Sequence, residues 1–281
     1  MKTDVLGVKI DDINLEEALA VVEKWILSPG KSFGKAQDRY YIVTPNPEFI
    51  IAAQKDMMFK KILNGADLSL SDGIGLRFSG KVKNTVSGTD FMEKLVRLAA
   101  EKGFIVGFLG GRNKVAKKTA ERLLRRYPRL KVAFAESGGE VDQDGQWHSS
   151  SGRKAPLASP KRSLLVRFAS NKSSDIVSNV RSTSPIALTD SDFAIPPLDI
   201  LFVAFGHIKQ EKWIAANLDK ILVKVAMGVG GAFDYLSGSV HRAPKWMRDL
   251  GFEWLFRLII QPWRLKRQLV LLKYLWLIMV K

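Results

Sequence analysis

Along the first half of the chain the apolar positions switch repeatedly between two periods. Behind Asn14 they fall at Leu15, Ala18, Leu19, Val22 and Ile26, the stripe of an amphipathic helix, and Glu17 stands three places on, as in a capping box. A continuous apolar run at Tyr40 to Val43 predicts a short strand, ended by Thr44-Pro45-Asn46-Pro47, whose prolines allow a helix to begin. That helix is expected over 48–63, and the alternating 66–70 stretch then runs into Ser71-Asp72-Gly73. Helix 90–102 stops at Gly103, strand 104–109 ends at Gly110-Gly111, and helix 114–127 is halted by Pro128. Strand 198–205, helix 210–221 and strand 223–229 repeat the alternation before Gly230-Gly231. Strands separated by helices predict an α/β fold: a Rossmann-like, open, mostly parallel sheet with helices on both faces.

Two stretches break this rhythm. Residues 146–195 are rich in serine and follow neither period, apart from a strand-like piece at 164–168; they read as a flexible insertion. From 239 to the end, tryptophan, arginine and leucine dominate. The expected organisation is therefore a core over 1–238 carrying the insertion, and a C-terminal amphipathic appendage over 239–281. The apolar run 269–280 is 12 residues long, whereas a membrane-crossing helix needs about 20. It is suited to lying on a bilayer. Acidic residues among the first twenty argue against a secretory signal.

Charge sharpens the picture. The 281 residues carry a formal net charge of +16, of which +7 falls in 240–281 and +4 in the serine-rich stretch. An excess of this size suits a phosphate backbone or an anionic membrane. Its concentration among tryptophans, without an aromatic RNA-binding strand or a KH-type loop, favours the membrane. No cysteine and only three histidines leave little for a sulfur or histidine metal site.

Candidate chemistry collects where strands end. In a parallel sheet the carboxyl ends of the strands form the ligand crevice, and glycines there admit a phosphate to the backbone. Gly110, Gly111, Gly206 and Gly230 occupy such ends, as do Thr44 and Asn46, while Asp72 is placed for a general base. No GxGxxG follows the first strand and no Walker lysine is present. The triplets Asp142-Gln143-Asp144 and Asp190-Ser191-Asp192 could hold a divalent ion but lie in or beside irregular chain. Lys209 and Gln210 open a helix and could meet an anion. Arg257, Arg264 and Arg267, at spacings of 7 and 3, can share one helical face suited to phosphate, although Pro262 bends or restarts that helix.

Taken in order, Thr44-Pro45-Asn46-Pro47-Glu48, Ser71-Asp72-Gly73-Ile74-Gly75, Val86-Ser87-Gly88-Thr89-Asp90, Phe108-Leu109-Gly110-Gly111, Ala204-Phe205-Gly206, Lys209-Gln210-Glu211-Lys212-Trp213 and Gly228 to Asp234 resemble the WecG/TagA/CpsF glycosyltransferases, as do the later Arg242-Ala243-Pro244-Lys245-Trp246 and 251–258 segments. The resemblance implies an inverting, metal-independent enzyme without a cofactor. It would move an N-acetylmannosamine-type sugar from UDP to a polyprenyl-diphosphate-linked N-acetylglucosamine in cell-surface polymer synthesis, on the cytoplasmic face of the bacterial membrane. It implies Asp72 as base, Thr44, Asn46 and Gln210 as sugar-pocket residues, and Arg257, Arg264 and Arg267 on the diphosphate. The partners it implies are the donor, the lipid-linked acceptor and an anionic membrane surface, not nucleic acid; self-association is left open. The sequence departs from the family pattern at Thr85, where an arginine is usual and for which Lys83 and Arg77 are candidate substitutes, at Ile208 in place of proline, and in the long serine-rich stretch. Alternatives are a UDP-glucose or UDP-uronic acid donor, or a non-catalytic relative that binds membrane or RNA.

Overall fold

In the computed structural model, residues 2–28, 39–137, 140–148, 197–262 and 265–280 are described. The chain opens with a hairpin, β1 (Lys2–Val5) and β2 (Val8–Asp11), turned by Leu6 and Gly7, both at positive φ (52° and 82°). Helix α1 (Leu15–Leu27) follows with the capping box complete: Glu17 N–H donates to Asn14 Oδ1 at 2.9 Å, and Asn14 N–H donates to Glu17 Oε2 at 2.9 Å.

Six parallel strands make the central sheet in the order β4-β3-β10-β9-β5-β6. They are β3 (Tyr40–Val43), β4 (Leu68–Ser69), β5 (Ile105–Gly110), β6 (Lys131–Glu136), β9 (Leu198–Ala204) and β10 (Val223–Gly228). A small antiparallel hairpin, β7 (Glu140–Val141) and β8 (Trp147–His148), forms a separate sheet whose Val141 is buried against the core. The uninterrupted apolar run of β9 is explained by burial on both sides. Ile200, Phe202 and Ala204 enter one core with α1, α4 (Gly88–Lys102) and α5 (Val115–Arg126), while Leu201 and Val203 enter another with Trp213 and Ile214.

The expected single helix over 48–63 is two, α2 (Pro47–Lys55) and α3 (Met57–Asn64). Asp56 separates them because its carboxylate caps the second, accepting from Phe59 N–H at 2.8 Å, and pairs with Lys212 at 2.8 Å. The helix expected over 210–221 is α6 (Lys209–Asn217) plus a short 3-10 turn. The strand expected at 164–168 lies outside the described residues.

Beyond β10 come α7 (Ala232–Leu236), α8 (Lys245–Asp249), α9 (Glu253–Ile260) and α10 (Leu265–Val280). The helix expected to bend or restart at Pro262 is divided into α9 and α10. Helix α10 is no loose tail: Tyr274 is fully buried, and Val270, Leu271, Leu275 and Ile278 join a third core with the N-terminal hairpin, α2 and α3. Among the described residues no helix is long and apolar enough to cross a membrane.

Candidate active site

The strand order puts β3 and β4 on one side of the β10-β9 pair and β5 and β6 on the other, so the carboxyl ends of β3, β4 and β10 open onto one crevice. Just past β4, Asp72 N–H donates to Pro45 O at 2.8 Å, fixing the Ser71-Asp72-Gly73 turn against the Thr44–Pro47 turn. Gly88 N–H, at the start of α4, donates to Asp72 Oδ1 at 3.2 Å. Gly88 also lies close to Thr44, whose hydroxyl would be 3.1 Å from an added β-carbon. Thr44 and Asp72 thus meet across one helix start. Asn46 caps α2, accepting from Phe49 N–H at 3.2 Å, and Pro47 fills the first helical position.

The Asp72 carboxyl is enclosed by protein, while the residue as a whole is half-buried. Burial pushes its pKa up to about 6, against the pull of the Gly88 N–H; nearby Glu253 raises it further, and Arg242 and Arg257 lower it. A carboxylate so placed is mostly ionised at neutral pH yet a stronger base than an ordinary aspartate.

At the end of β10, Gln210 and Glu211 are buried together. Gln210 Nε2 donates to Glu211 Oε1 at 2.7 Å, and Gly230 N–H donates to Gln210 Oε1 at 3.0 Å. Gln210 therefore braces the glycine turn from within, with both ends of its amide already engaged. Gly228 admits this pair, since a β-carbon there would lie 2.6 Å from Glu211 Oε1. Burial raises the Glu211 pKa to about 7, opposed by the Gln210 hydrogen bond. Of the other glycines, Gly206 (φ 90°) faces open space, while Gly110 (φ 105°) is pressed against Ala204 O at 2.6 Å from its would-be β-carbon. Gly111 N–H donates to Ala204 O at 2.8 Å, so this pair joins two strand ends.

The appendage reaches the same crevice with Arg257. Its guanidinium lies over the Tyr235 ring, 4.9 Å from the centroid, and against Gly231, where a β-carbon would fall 2.5 Å from Nη2. Arg257 makes no ion pair among the described residues, and its buried Nε has no hydrogen-bond partner. A partly enclosed cation without an acid is costly unless an anion joins it. Ser71 Oγ, beside Asp72, is likewise buried and unpartnered. Arg264 and the side chain of Arg267 lie outside the described residues.

Arg242 behaves differently. It donates to Asp90 through Nη1 (2.5 Å) and Nη2 (2.8 Å), to Glu253 through Nε (3.1 Å), and to Ser87 Oγ (3.1 Å). Burial alone would raise the Asp90 pKa, but the Arg242 hydrogen bonds and charge, with Arg248, hold it below the ordinary carboxylate range. Sequence reasoning assigned no role to Arg242, Asp90, Glu253, Tyr235 or Glu211. All but Tyr235, which directly follows the Gly228 to Asp234 motif, stand within quoted motifs, but neither spacing nor composition tells which of them touch.

Lys209 is turned away from the crevice, its Nζ donating to Val141 O at 2.8 Å. The first acidic triplet is a turn device: Asp142 Oδ1 accepts from Asp144 N–H (2.9 Å) and Gln146 N–H (2.8 Å), while Asp190 and Asp192 lie outside the described residues. Among the described residues no cluster of three or more His, Asp or Glu is arranged to hold a metal. Thr85 lines a hollow of about 420 Å³ beside the crevice, shared with Ser87, Lys94, Arg97, Arg126 and Arg248; Lys83 and Arg77 are exposed and not among its walls.

Comparison with known proteins gives a single direction. The profile of the glycosyl transferase WecG/TagA/CpsF family matches residues 3–149 and 197–281, leaving out 150–196, most of the serine-rich stretch. A Bacillus subtilis (strain 168) protein named N-acetylglucosaminyldiphosphoundecaprenol N-acetyl-beta-D-mannosaminyltransferase is 29% identical over 238 residues, covering 83% of this chain and 76% of its own. Proteins of the same name are 28% identical in Bacillus spizizenii (83% and 76% covered) and 24% identical in Staphylococcus aureus strain MRSA252 (95% and 87% covered).

Proposed function

The chain belongs to the WecG/TagA/CpsF family of glycosyltransferases, and on that footing we propose that it transfers an N-acetylmannosamine-type sugar from a UDP-sugar to a polyprenyl-diphosphate-linked N-acetylglucosamine, with inversion. The names of its relatives support the sugar and the acceptor. The observation that carries the residue assignment is the pairing of a raised-pKa carboxylate, Asp72, with an unneutralised guanidinium, Arg257, at the same crevice.

In this reading the acceptor hydroxyl attacks the anomeric carbon and its proton passes to Asp72, while the bond from that carbon to the UDP oxygen breaks. Arg257 meets the charge that builds on the departing diphosphate, work it can do because no carboxylate already holds it. Thr44 and Asn46 border the sugar beside Asp72, and Gln210 acts through the Gly230 turn it supports. Arg264 and Arg267 would extend the cationic face along the diphosphate.

The enzyme would work as a peripheral protein on the inner face of the cell membrane, where UDP-sugar and lipid-linked acceptor meet. Leu265, Leu269, Leu272, Trp276 and Met279 support this: they are exposed and recur every three or four residues on the side of α10 away from the core. The test is incubation with a panel of UDP-sugars and a lipid-diphosphate acceptor analogue, read by mass spectrometry. Mass gain of one N-acetylhexosamine from UDP-N-acetylmannosamine is expected. Gain only from UDP-glucose or a UDP-uronic acid would keep the enzyme class and change the donor, and no product from any donor would refute the assignment.

A further inference from the structure

We propose that Arg242 is a positioning residue: gripped by Asp90 of the core and Glu253 of the appendage, it sets α9 so that Arg257 stands over the Gly230-Gly231 turn. The inference rests on the reading of Arg257 as the cation that meets the donor diphosphate. Its geometry is independent of that reading. Glu253 and Arg257 are four residues apart on α9 and therefore share a face, so fixing the first orients the second. The planar fork of Arg242 engages both oxygens of Asp90 while Nε reaches Glu253, a pattern a lysine cannot reproduce. Arg242 and Arg257 also approach the same ring, with their guanidinium carbons 6.0 and 4.9 Å from the Tyr235 centroid.

Charge separates the two arginines. Arg248 Nη1 also meets Asp90, at 3.3 Å, so two cations face two carboxylates and the clasp is neutral in itself. Arg242 is thus committed to the protein, whereas Arg257 is left for a ligand. The clasp and the base share one turn of helix: Gly88 N–H holds Asp72 and, two residues on, Asp90 holds Arg242. The charged groups acting on Asp72 are Glu253, Arg242 and Arg257.

UDP affinity measured by calorimetry on the full chain tests the idea. Arg257→Ala should weaken UDP binding by about tenfold or more, Arg242→Ala should cause a similar loss, and the double variant should be little worse than Arg257→Ala, as expected of residues acting through one contact. Arg242→Lys should fall between wild type and alanine. If Arg242→Ala does not fold, Glu253→Gln, which loosens only the appendage side, should still weaken UDP. A second readout separates positioning from mere stability: with Arg242 gone, Glu253 is unneutralised beside Asp72, so the acid limb of the pH–rate profile should move to higher pH. Adding Glu253→Gln should bring it back. Normal UDP affinity in Arg242→Ala, or losses that simply add in the double variant, would overturn the clasp while leaving Arg257 in place. Normal affinity in Arg257→Ala would remove the diphosphate reading and the clasp's purpose with it.

Discussion

The core and the appendage bury opposite things. Around the sheet the large apolar side chains point inward: Trp213 is 1% exposed, and Phe91, Phe108, Phe202 and Phe233 are fully enclosed. From Arg242 through α9 the arrangement is reversed. Trp246 is 62% exposed and Ile259 69%, while Arg242 and Arg257 turn toward the protein. Helix α10 has both characters, with Tyr274 sealed against α2 and Trp276 57% exposed. Apolar surface left in water across several neighbouring elements is a liability unless another apolar phase covers it, whereas inward arginines need anions. The sheet thus finds its apolar partners within the chain, α10 shares in the core beside the N-terminal hairpin, and under the proposed function the outward apolar face of the appendage would meet lipid and its inward Arg257 a phosphate.

The largest effect is expected at Asp72, whose carboxyl the core encloses. Asp72→Asn should lower turnover by roughly 10³-fold, the scale of a lost general base, and leave UDP affinity unchanged. It should also stabilise the fold. The raised pKa means the native state holds a proton that the unfolded chain has released between about pH 4 and 6, so stability falls as pH rises through that window and the full penalty is present above it. The asparagine variant lacks the penalty, so its melting temperature should exceed that of wild type at pH 7.5, by an amount reflecting on the order of 1–3 kcal/mol, with the gap closing toward pH 4. Equal melting curves at pH 7.5 would mean that Asp72 is not held in a desolvated site.

The outward face of the appendage comes next. Leu272→Ser with Trp276→Ser should reduce partition onto anionic vesicles by about 10²-fold, from roughly 1.5 kcal/mol per removed anchor, while thermal stability holds because neither side chain joins the core. Undiminished vesicle binding would place the membrane contact elsewhere. The inward face is probed by Gly231→Ala. Gly231 has φ −80°, which alanine accepts, so the main conflict is with the Arg257 guanidinium. A loss of about tenfold in kcat/KM is expected with little change in melting temperature. Full activity would show that Arg257 is free to leave its place.

The smallest effect is the pH limb of the wild-type enzyme. The kcat/KM of free enzyme should fall below about pH 6 as Asp72 takes up a proton. An acid limb near pH 4 would return Asp72 to the ordinary carboxylate range.

Much of the core was legible because local signals there agree with the fold. Asn14 and Glu17 are a capping box on paper and in space, and the apolar run of β9 predicts its burial on two faces. The failures are local signals overruled from a distance. Nothing in the apolar pattern of 48–63 announces a break at Asp56, whose cap is reinforced by Lys212, far along the chain. The N-terminal hairpin was hidden because its turn puts Leu6, and not only Gly7, at positive φ, where leucine is a poor indicator.

The site divides in the same way. From the order of residues alone it follows that strand ends carry glycines and polar residues, that Asp72 follows a strand, and that a cationic, tryptophan-bearing segment comes after the last strand. These follow from backbone periodicity and composition, which are properties of neighbouring residues. Which cation is neutralised depends on contacts made across the fold. Arg242 and Arg257 are alike on paper. One finds Asp90, 152 positions away, and the other finds a glycine turn and the face of a tyrosine. Charge compensation acts over a few ångströms in space, so it is fixed by which side chains the fold brings together.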